Sequence, residues 1–310
     1  TEEVIAAGYK NRGIAPEVAK AWVDSGWGMY GLPEEHGGKP VDHQTMAMII
    51  EELNHAGGNI PMAPNLLIMF DVCEFGTPEQ IKFAMDYYKE NGYPPYCLAI
   101  SEPEAGSDNQ GMECLATRTG DGKVHINGVK TWVTQGEHVD GFIVVCKDED
   151  PSRENKNMSM YLVPANAPGV TIEPLNKIGM QIMPFAMIHF DDVVIDETDL
   201  LGIQGKGFYQ LMKNFEWERC VLLAELLGEA QAAMEDACAW TNERMQFGKG
   251  IKTYQLVQEH IVEMQIELSN TRNFLYRTCW KMDNGIPVNN DAAMLKRYGA
   301  PALTDCCSRA

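Results

Sequence analysis

The stretch LAISEPEAGSDNQG, Leu98 to Gly111, divides the chain. An apolar run, Leu98-Ala99-Ile100, meets a Ser, two acids, a Pro and a Gly within nine residues. A strand that ends this way opens into a loop crowded with hydrogen-bonding groups. Before this stretch the apolar residues recur at helical spacing. After it they alternate.

Upstream, APEVAKAWVDSGW places Val18, Trp22 and Val23 on one helical face. DHQTMAMIIEELNHAG offers Asp42 as an N-cap, carries Met46, Ile49, Ile50 and Leu53 inward, and ends at Gly57-Gly58. TPEQIKFAMDYYKENG has Thr77 as N-cap, Pro78 at the first helical position, Gln80 at the capping-box position and Gly92 at its close. Downstream, KVHINGVKTWVTQG alternates on both sides of Asn127-Gly128, which predicts a hairpin turning there. GFIVVCK, MSMYLVPA, VTIEPL and AMIHFDDVVID add strands joined by Pro164, Gly169, Pro174 and Gly179. With no helices between most of them, the sheet is expected to be antiparallel.

From Gly207 the pattern is helical again. One helix to Phe247 would be about 60 Å long. A second runs from Thr253 to Asn284 and stops at Gly285, and a third starts near Asn289. Long helices with short connections imply a bundle. The fold class is therefore α+β, with an N-terminal helical domain (1–95), a central β domain (96–203) and a C-terminal helical bundle (204–310). The chain opens and stops within helices, so both natural termini are expected to lie outside it.

The net charge is −19, which repels phosphate backbones and argues against nucleic acid. Nine Cys, an odd number without a Cys-x-x-Cys pair, predict reduced thiols in the cytoplasm over a disulfide or metal framework. The seven His form no pair at metal-ligand spacing. No apolar run is long enough to span a bilayer, and the start lacks a signal-peptide pattern.

Three strings carry candidate chemistry. In SEPEAGSD, Gly106 lets backbone approach a ligand, and Ser107 offers a hydroxyl beside N–H groups, which suits a phosphate. The same residues also make an ordinary turn-rich loop. In KTWVT, Trp132 and Thr134 share one face of a strand, a flat ring beside a hydroxyl that suits a planar heteroaromatic ligand; a Trp on a strand reads equally as core. In NERMQFGK, Arg244 either complements a helix C-terminus capped by Gly248 or clamps a diphosphate.

Together AISEPEAGSD, INGVKTWVTQG, ERMQFGKGI with Gln255, and GLPEEHGG (Gly31 to Gly38) resemble the acyl-CoA dehydrogenase family, in the family's order and across the chain. The resemblance implies a helical domain, an antiparallel β-barrel-like domain and a helical bundle, with FAD as cofactor. It implies that Ile100 and Ser101 contact the isoalloxazine, that Trp132 packs against it and that Thr134 bonds near N5. Ser107 would lie by the pantetheine and phosphate groups. Arg244, Phe247 and Gln255 would reach the FAD of a neighbouring subunit in a homo-oligomer, usually a tetramer. Glu104 departs from the Gly often found there.

The implied reaction is α,β-dehydrogenation of an acyl-CoA, with an electron-transfer flavoprotein as partner. A minority of members place the base on the first bundle helix, and NFEWERCVLLAE puts Glu218 in the matching position, with Arg219 toward the CoA. The plain alternative is that Glu218, Leu222, Glu225 and Glu229 form a solvated helix edge. FEWER, CWKMDNG and NNDAAMLKRYGA look most like the crotonobetainyl-CoA reductase branch, which runs the reaction in reverse, and also suit other enoyl-CoA reductases. A trimethylammonium substrate would want aromatic or acidic neighbours, and Glu216 and Trp217 adjoin Glu218. The runner-up readings are a flavin oxidase or monooxygenase of this fold, and a non-catalytic partner subunit.

Overall fold

The computed structural model describes residues 2–58, 62–149 and 157–310. Five helices come first: α1 (Glu2–Asn11), α2 (Pro16–Asp24), α3 (His43–His55), α4 (Met62–Phe75) and α5 (Pro78–Asn91). The strands follow: β1 (Tyr96–Ala99), β2 (Leu115–Arg118), β3 (Lys123–Thr134), β4 (Gly141–Asp148), β5 (Met158–Pro164), β6 (Val170–Leu175), β7 (Phe185–Asp196) and β8 (Leu200–Leu201). Then come α6 (Gly207–Glu243), a short hairpin of β9 (Met245–Gln246) and β10 (Lys249–Gly250), α7 (Gln255–Asp283) and α8 (Asn289–Arg309). Two compact units result, one of residues 1–39 with 64–212 and one of 40–63 with 213–310.

The helix ends follow local chemistry. Thr77 and Gln80 form a complete capping box at α5, and Gly92 closes that helix at φ 85°. The Asp42 side chain accepts from Thr45 N at 2.6 Å. These signals were legible because a cap needs only its own neighbours.

In the first unit the sheet runs β6-β7-β3-β2-β4-β5-β8, with β1 also on β4. Its core joins Cys97, Phe142, Val144, Tyr161, Ile188 and Phe190. Most pairings are antiparallel, but β1 and β2 both lie parallel to β4. β1 pairs with Gly141–Val144 and β2 with Lys147–Asp148. The chain therefore leaves β4's edge at Ala99, makes an excursion through the polar stretch, and returns to the same edge.

The expected hairpin at Asn127-Gly128 is not formed. β3 is one strand of 12 residues that passes straight through the pair. The register against β7 jumps from Ile126↔Val193 to Gly128↔Phe190, so Asp191 and Asp192 face Asn127 alone. This is a bulge on β7, with Asp192 at φ 50° and its N–H donating to Asn127 Oδ1 at 2.9 Å. A Cβ on Gly128 would sit 2.6 Å from Cys114 Cα, so the Gly serves close strand packing and not a turn.

In the second unit α3, α6, α7 and α8 form the helical layer. His43 stacks edge-on against Trp217, and His55 meets Glu235, so α3 runs with α6. Gly228 is the point of closest approach, where an added Cβ would lie 2.2 Å from Glu51 O. Gly228→Ala is expected to cost about 1–3 kcal/mol through overpacking, read as a fall in the urea midpoint. The buried Glu51 carboxylate accepts from Arg272 Nε at 2.7 Å and Tyr276 OH at 2.6 Å, which fixes α7 beside α3.

α6 ends at Glu243, not at Phe247. Phe247 and Gly248 have φ of 52° and 76°, a left-handed pair that turns β9 back onto β10. Gly248 is thus a hairpin residue and not a helix cap.

Candidate active site

The polar excursion is wired to β3. Thr131 N donates to Ser101 O at 2.8 Å. Lys130, with no exposed surface, donates from Nζ to Ile100 O at 2.9 Å and to Glu102 Oε1 at 2.7 Å. The Glu102 carboxylate also accepts from Glu113 N at 2.5 Å and Cys114 N at 2.9 Å. A buried ion pair is tolerated only when its remaining hydrogen-bonding positions are filled, as they are here. Reciprocal bonds between Glu102 and Ala105 then close a tight turn. Beyond it Gly106, Ser107 and Asp108 are exposed, and Asp108 caps a short 3-10 turn by accepting from Gly111 N at 3.2 Å.

A second bulge shapes β3. Its register against β7 moves from Lys130↔Ile188 to Val133↔Ala186, which leaves Thr131 and Trp132 facing Met187. Trp132 takes φ 58°, an outlier for a bulky residue, and its side chain is 60% exposed. The bulge does two things. It frees the Thr131 N–H for Ser101, and it turns the indole outward. Backbone strain of this kind clusters at functional sites. Val133 is buried and Thr134 half-buried beyond it.

The first unit thus brings together Ile100, Ser101, Ser107, Trp132 and Thr134 on two linked segments. Ile100, Ser101 and Thr134 are half-buried, while Ser107 is exposed. A Cβ on Gly106 would meet no atom within 4 Å, so the loop leaves room for a ligand. An outward indole, half-buried hydroxyls and an open Gly-Ser turn suit an aromatic ring carrying a phosphate tail, and FAD has both.

The second unit holds the other candidates. Glu218 on α6 is half-buried, and burial raises its pKa above the usual carboxylate range while Lys296 and Arg219 oppose the rise. Among the described residues it accepts no hydrogen bond from a side chain or backbone group. Leu222, Glu225 and Glu229 are half-buried too, so this stripe is not a solvated edge. Arg219 is half-buried beside Glu218. Glu216 is half-buried but stands about 200° from Glu218 around the helix axis. Trp217 is 9% exposed and packed on His43, which makes it core.

Arg244, Phe247 and Gln255 cluster at the other end of α6, about 38 Å along its axis from Glu218. All three are exposed, Phe247 at 93%. The Phe247 ring meets Tyr254 edge-on at 6.4 Å. The structure does not bring this cluster to Glu218 within the chain.

Sequence reasoning missed the Glu102–Lys130 pair, although a signal was present. Lys130 shares strand parity with the buried Val124 and Ile126, and an inward Lys demands a carboxylate.

Profiles of the acyl-CoA dehydrogenase N-terminal, middle and C-terminal domains match residues 1–85, 97–193 and 205–310. A probable acyl-CoA dehydrogenase of Escherichia coli, YdiO, is 34% identical over 96% of this chain and 78% of its own. The crystal structure of an acyl-CoA dehydrogenase from Slackia heliotrinireducens superposes with a TM-score of 0.86 at 33% identity, over 100% of this chain and 80% of that one. Butyryl-CoA dehydrogenase from Megasphaera elsdenii superposes with a TM-score of 0.85 at 27% identity, over 94% and 78%. By sequence and by fold, the chain belongs to the acyl-CoA dehydrogenase family of FAD-dependent oxidoreductases acting on CH–CH groups.

Proposed function

We propose that the protein binds FAD and acts at the α,β C–C bond of an acyl-CoA, with crotonobetainyl-CoA or a related enoyl-CoA as substrate. The observation that carries this is Glu218, a half-buried carboxyl with a raised pKa on α6. Bound FAD supplies the two-electron redox chemistry. Ile100, Ser101, Trp132 and Thr134 hold its ring, and Ser107 meets the pantetheine and phosphate groups. Glu218 holds or accepts the proton exchanged with the α-carbon, and Arg219 faces the CoA.

The raised pKa extends upward the pH range over which Glu218 carries the proton that an enoyl-CoA reductase needs. Reduction of an enoyl-CoA is therefore expected to slow as pH rises through that pKa, and oxidation of an acyl-CoA to quicken. Two opposite pH–rate limbs, measured on one preparation, check this. The preference for a crotonobetainyl-like acyl group rests on FEWER, CWKMDNG and NNDAAMLKRYGA, since Trp217 is committed to the core. Arg244, Phe247 and Gln255, exposed and remote from Glu218, suit contact with FAD in a second subunit of a homotetramer. An electron-transfer flavoprotein is the proposed redox partner. Nine free thiols suit a reducing cytoplasm.

The visible absorption spectrum of the purified full-length protein tests the reading. Flavin bands that bleach with an acyl-CoA are expected. A protein that stays colourless after FAD is added would be a partner subunit instead.

A further inference from the structure

The connection between β6 and β7, residues 176–184, borders a cavity of about 240 Å³ in the first unit. Arg12, just past the end of α1, lines it together with Asn176, Lys177 and Gln181 of the connection itself. All of these side chains carry N–H donors, and two are cations. The chain as a whole has 44 acids against 25 Lys and Arg, so a cavity walled by bases runs against its composition.

The donors are fixed by bonds that do not exhaust them. Arg12 donates from Nε and Nη2 to Glu137 Oε1 at 3.2 and 2.6 Å, and from Nη2 to Leu175 O at 2.7 Å. Its Nη1 donates to Asn176 Oδ1 at 3.1 Å, which leaves a second Nη1 hydrogen and the Asn176 amide N–H groups. Lys177 Nζ donates to Met183 O and lies 4.1 Å from the centre of the Phe185 ring, with hydrogens to spare. Gln181 Nε2 donates to Lys177 O at 3.3 Å and keeps its other hydrogen. Glu137, whose side chain is 10% exposed, is engaged by Arg12. Among the described residues no carboxylate lies within ion-pair distance of Lys177. Two cations against one carboxylate leave a positive charge uncompensated. A clamp of α1 onto the sheet accounts for Arg12 alone. It does not account for Lys177 and two amides lining the same space. Two cations there repel, and an anion between them would turn that cost into attraction.

We propose that this cavity binds a small oxyanion, the phosphate or carboxylate group of a small molecule, held by Arg12 and Lys177 with the Asn176 and Gln181 amides. Charge-assisted bonds from a guanidinium and an ammonium supply the affinity, and the amides fill the remaining oxygen positions. The site is separate from the residues proposed to hold FAD and acyl-CoA and stands without them. It borders them all the same. Leu175 and Thr134 both pair with Phe185, and Gln135 N donates to Pro184 O at 2.7 Å. An occupant would therefore steady the connection that flanks Thr134.

The test is isothermal titration calorimetry of the purified protein with FAD in excess, using inorganic phosphate and acetate as separate probes. Ionic strength is held constant, so that screening does not change along the titration. Saturable binding of at least one probe is expected, in the millimolar range. Tighter binding of phosphate would assign a phosphate ester, and tighter binding of acetate a carboxylate. Lys177→Gln should weaken binding roughly tenfold, the loss of one charge-assisted bond, and Lys177→Arg should retain it. Gln181 is exposed, so Gln181→Glu should fold as wild type does. It puts a carboxylate into the cavity and should abolish binding even if Lys177→Gln does not accumulate. No saturable binding of either anion overturns the proposal. So does wild-type affinity in Gln181→Glu, which would place the bound anion elsewhere.

Discussion

Glu218→Gln is expected to lower turnover by about 10²- to 10⁴-fold while FAD stays bound, the range in which a positioned acid–base group contributes. Gln keeps the size and polarity of the side chain but cannot exchange the proton. The proposed flavin contacts at Ile100, Ser101, Ser107, Trp132 and Thr134 belong to the other compact unit and are untouched by the change. The variant should therefore remain yellow and inactive. Stability should move the opposite way. Burial raises the Glu218 pKa, so its favourable contribution is fully present below the ordinary Glu value and is lost as pH rises through the raised one. At neutral pH, Glu218→Gln removes a desolvated charge and should be at least as stable as wild type. A variant that keeps full turnover would place the acid–base group elsewhere. One that loses both flavin and stability would make Glu218 a structural residue.

The second large effect is on the Glu102–Lys130 pair. Lys130→Met should cost about 3–5 kcal/mol, because it leaves the Glu102 carboxylate buried with only two N–H donors. Ile100 O loses its Nζ donor in the same change. Lys130 is fully buried, so solvent cannot take the place of the lost ammonium. Combining Lys130→Met with Glu102→Gln should recover part of the loss, since the second change removes the orphaned charge. The comparison of single and double variants by urea unfolding separates the coupling from the packing term. If both single variants fall within about 0.5 kcal/mol of wild type, the pair does not hold the excursion in place.

How far the sequence could be read depended on how local each signal was. Thr77, Gln80, Gly92 and Asp42 specify helix ends with neighbours a few residues away, and all four perform those roles. Asn127-Gly128 misled because the deciding partner is distant: β7 contributes the extra residue, and only its bulge lets β3 continue through a turn-like pair. The end of α6 misled for a related reason. Phe247 extends the apolar pattern, yet its left-handed backbone belongs to a hairpin. In the candidate site, Trp132 and Thr134 were proposed from residue type and parity, but nothing local announced the bulge that turns the indole outward. Glu218 was reached through its string, FEWER.

The loop from Ile100 to Cys114 has a consequence for assembly kinetics. The strands on both sides of it are stitched to β4, and its first residues, Ile100 to Glu102, are tied to β3 by Lys130 and Thr131. The placement of its two ends is therefore settled when the sheet folds, before any ligand arrives. Reconstitution of the apoprotein should then proceed as a single bimolecular encounter, with a rate proportional to FAD concentration and no slow phase for ordering a loop.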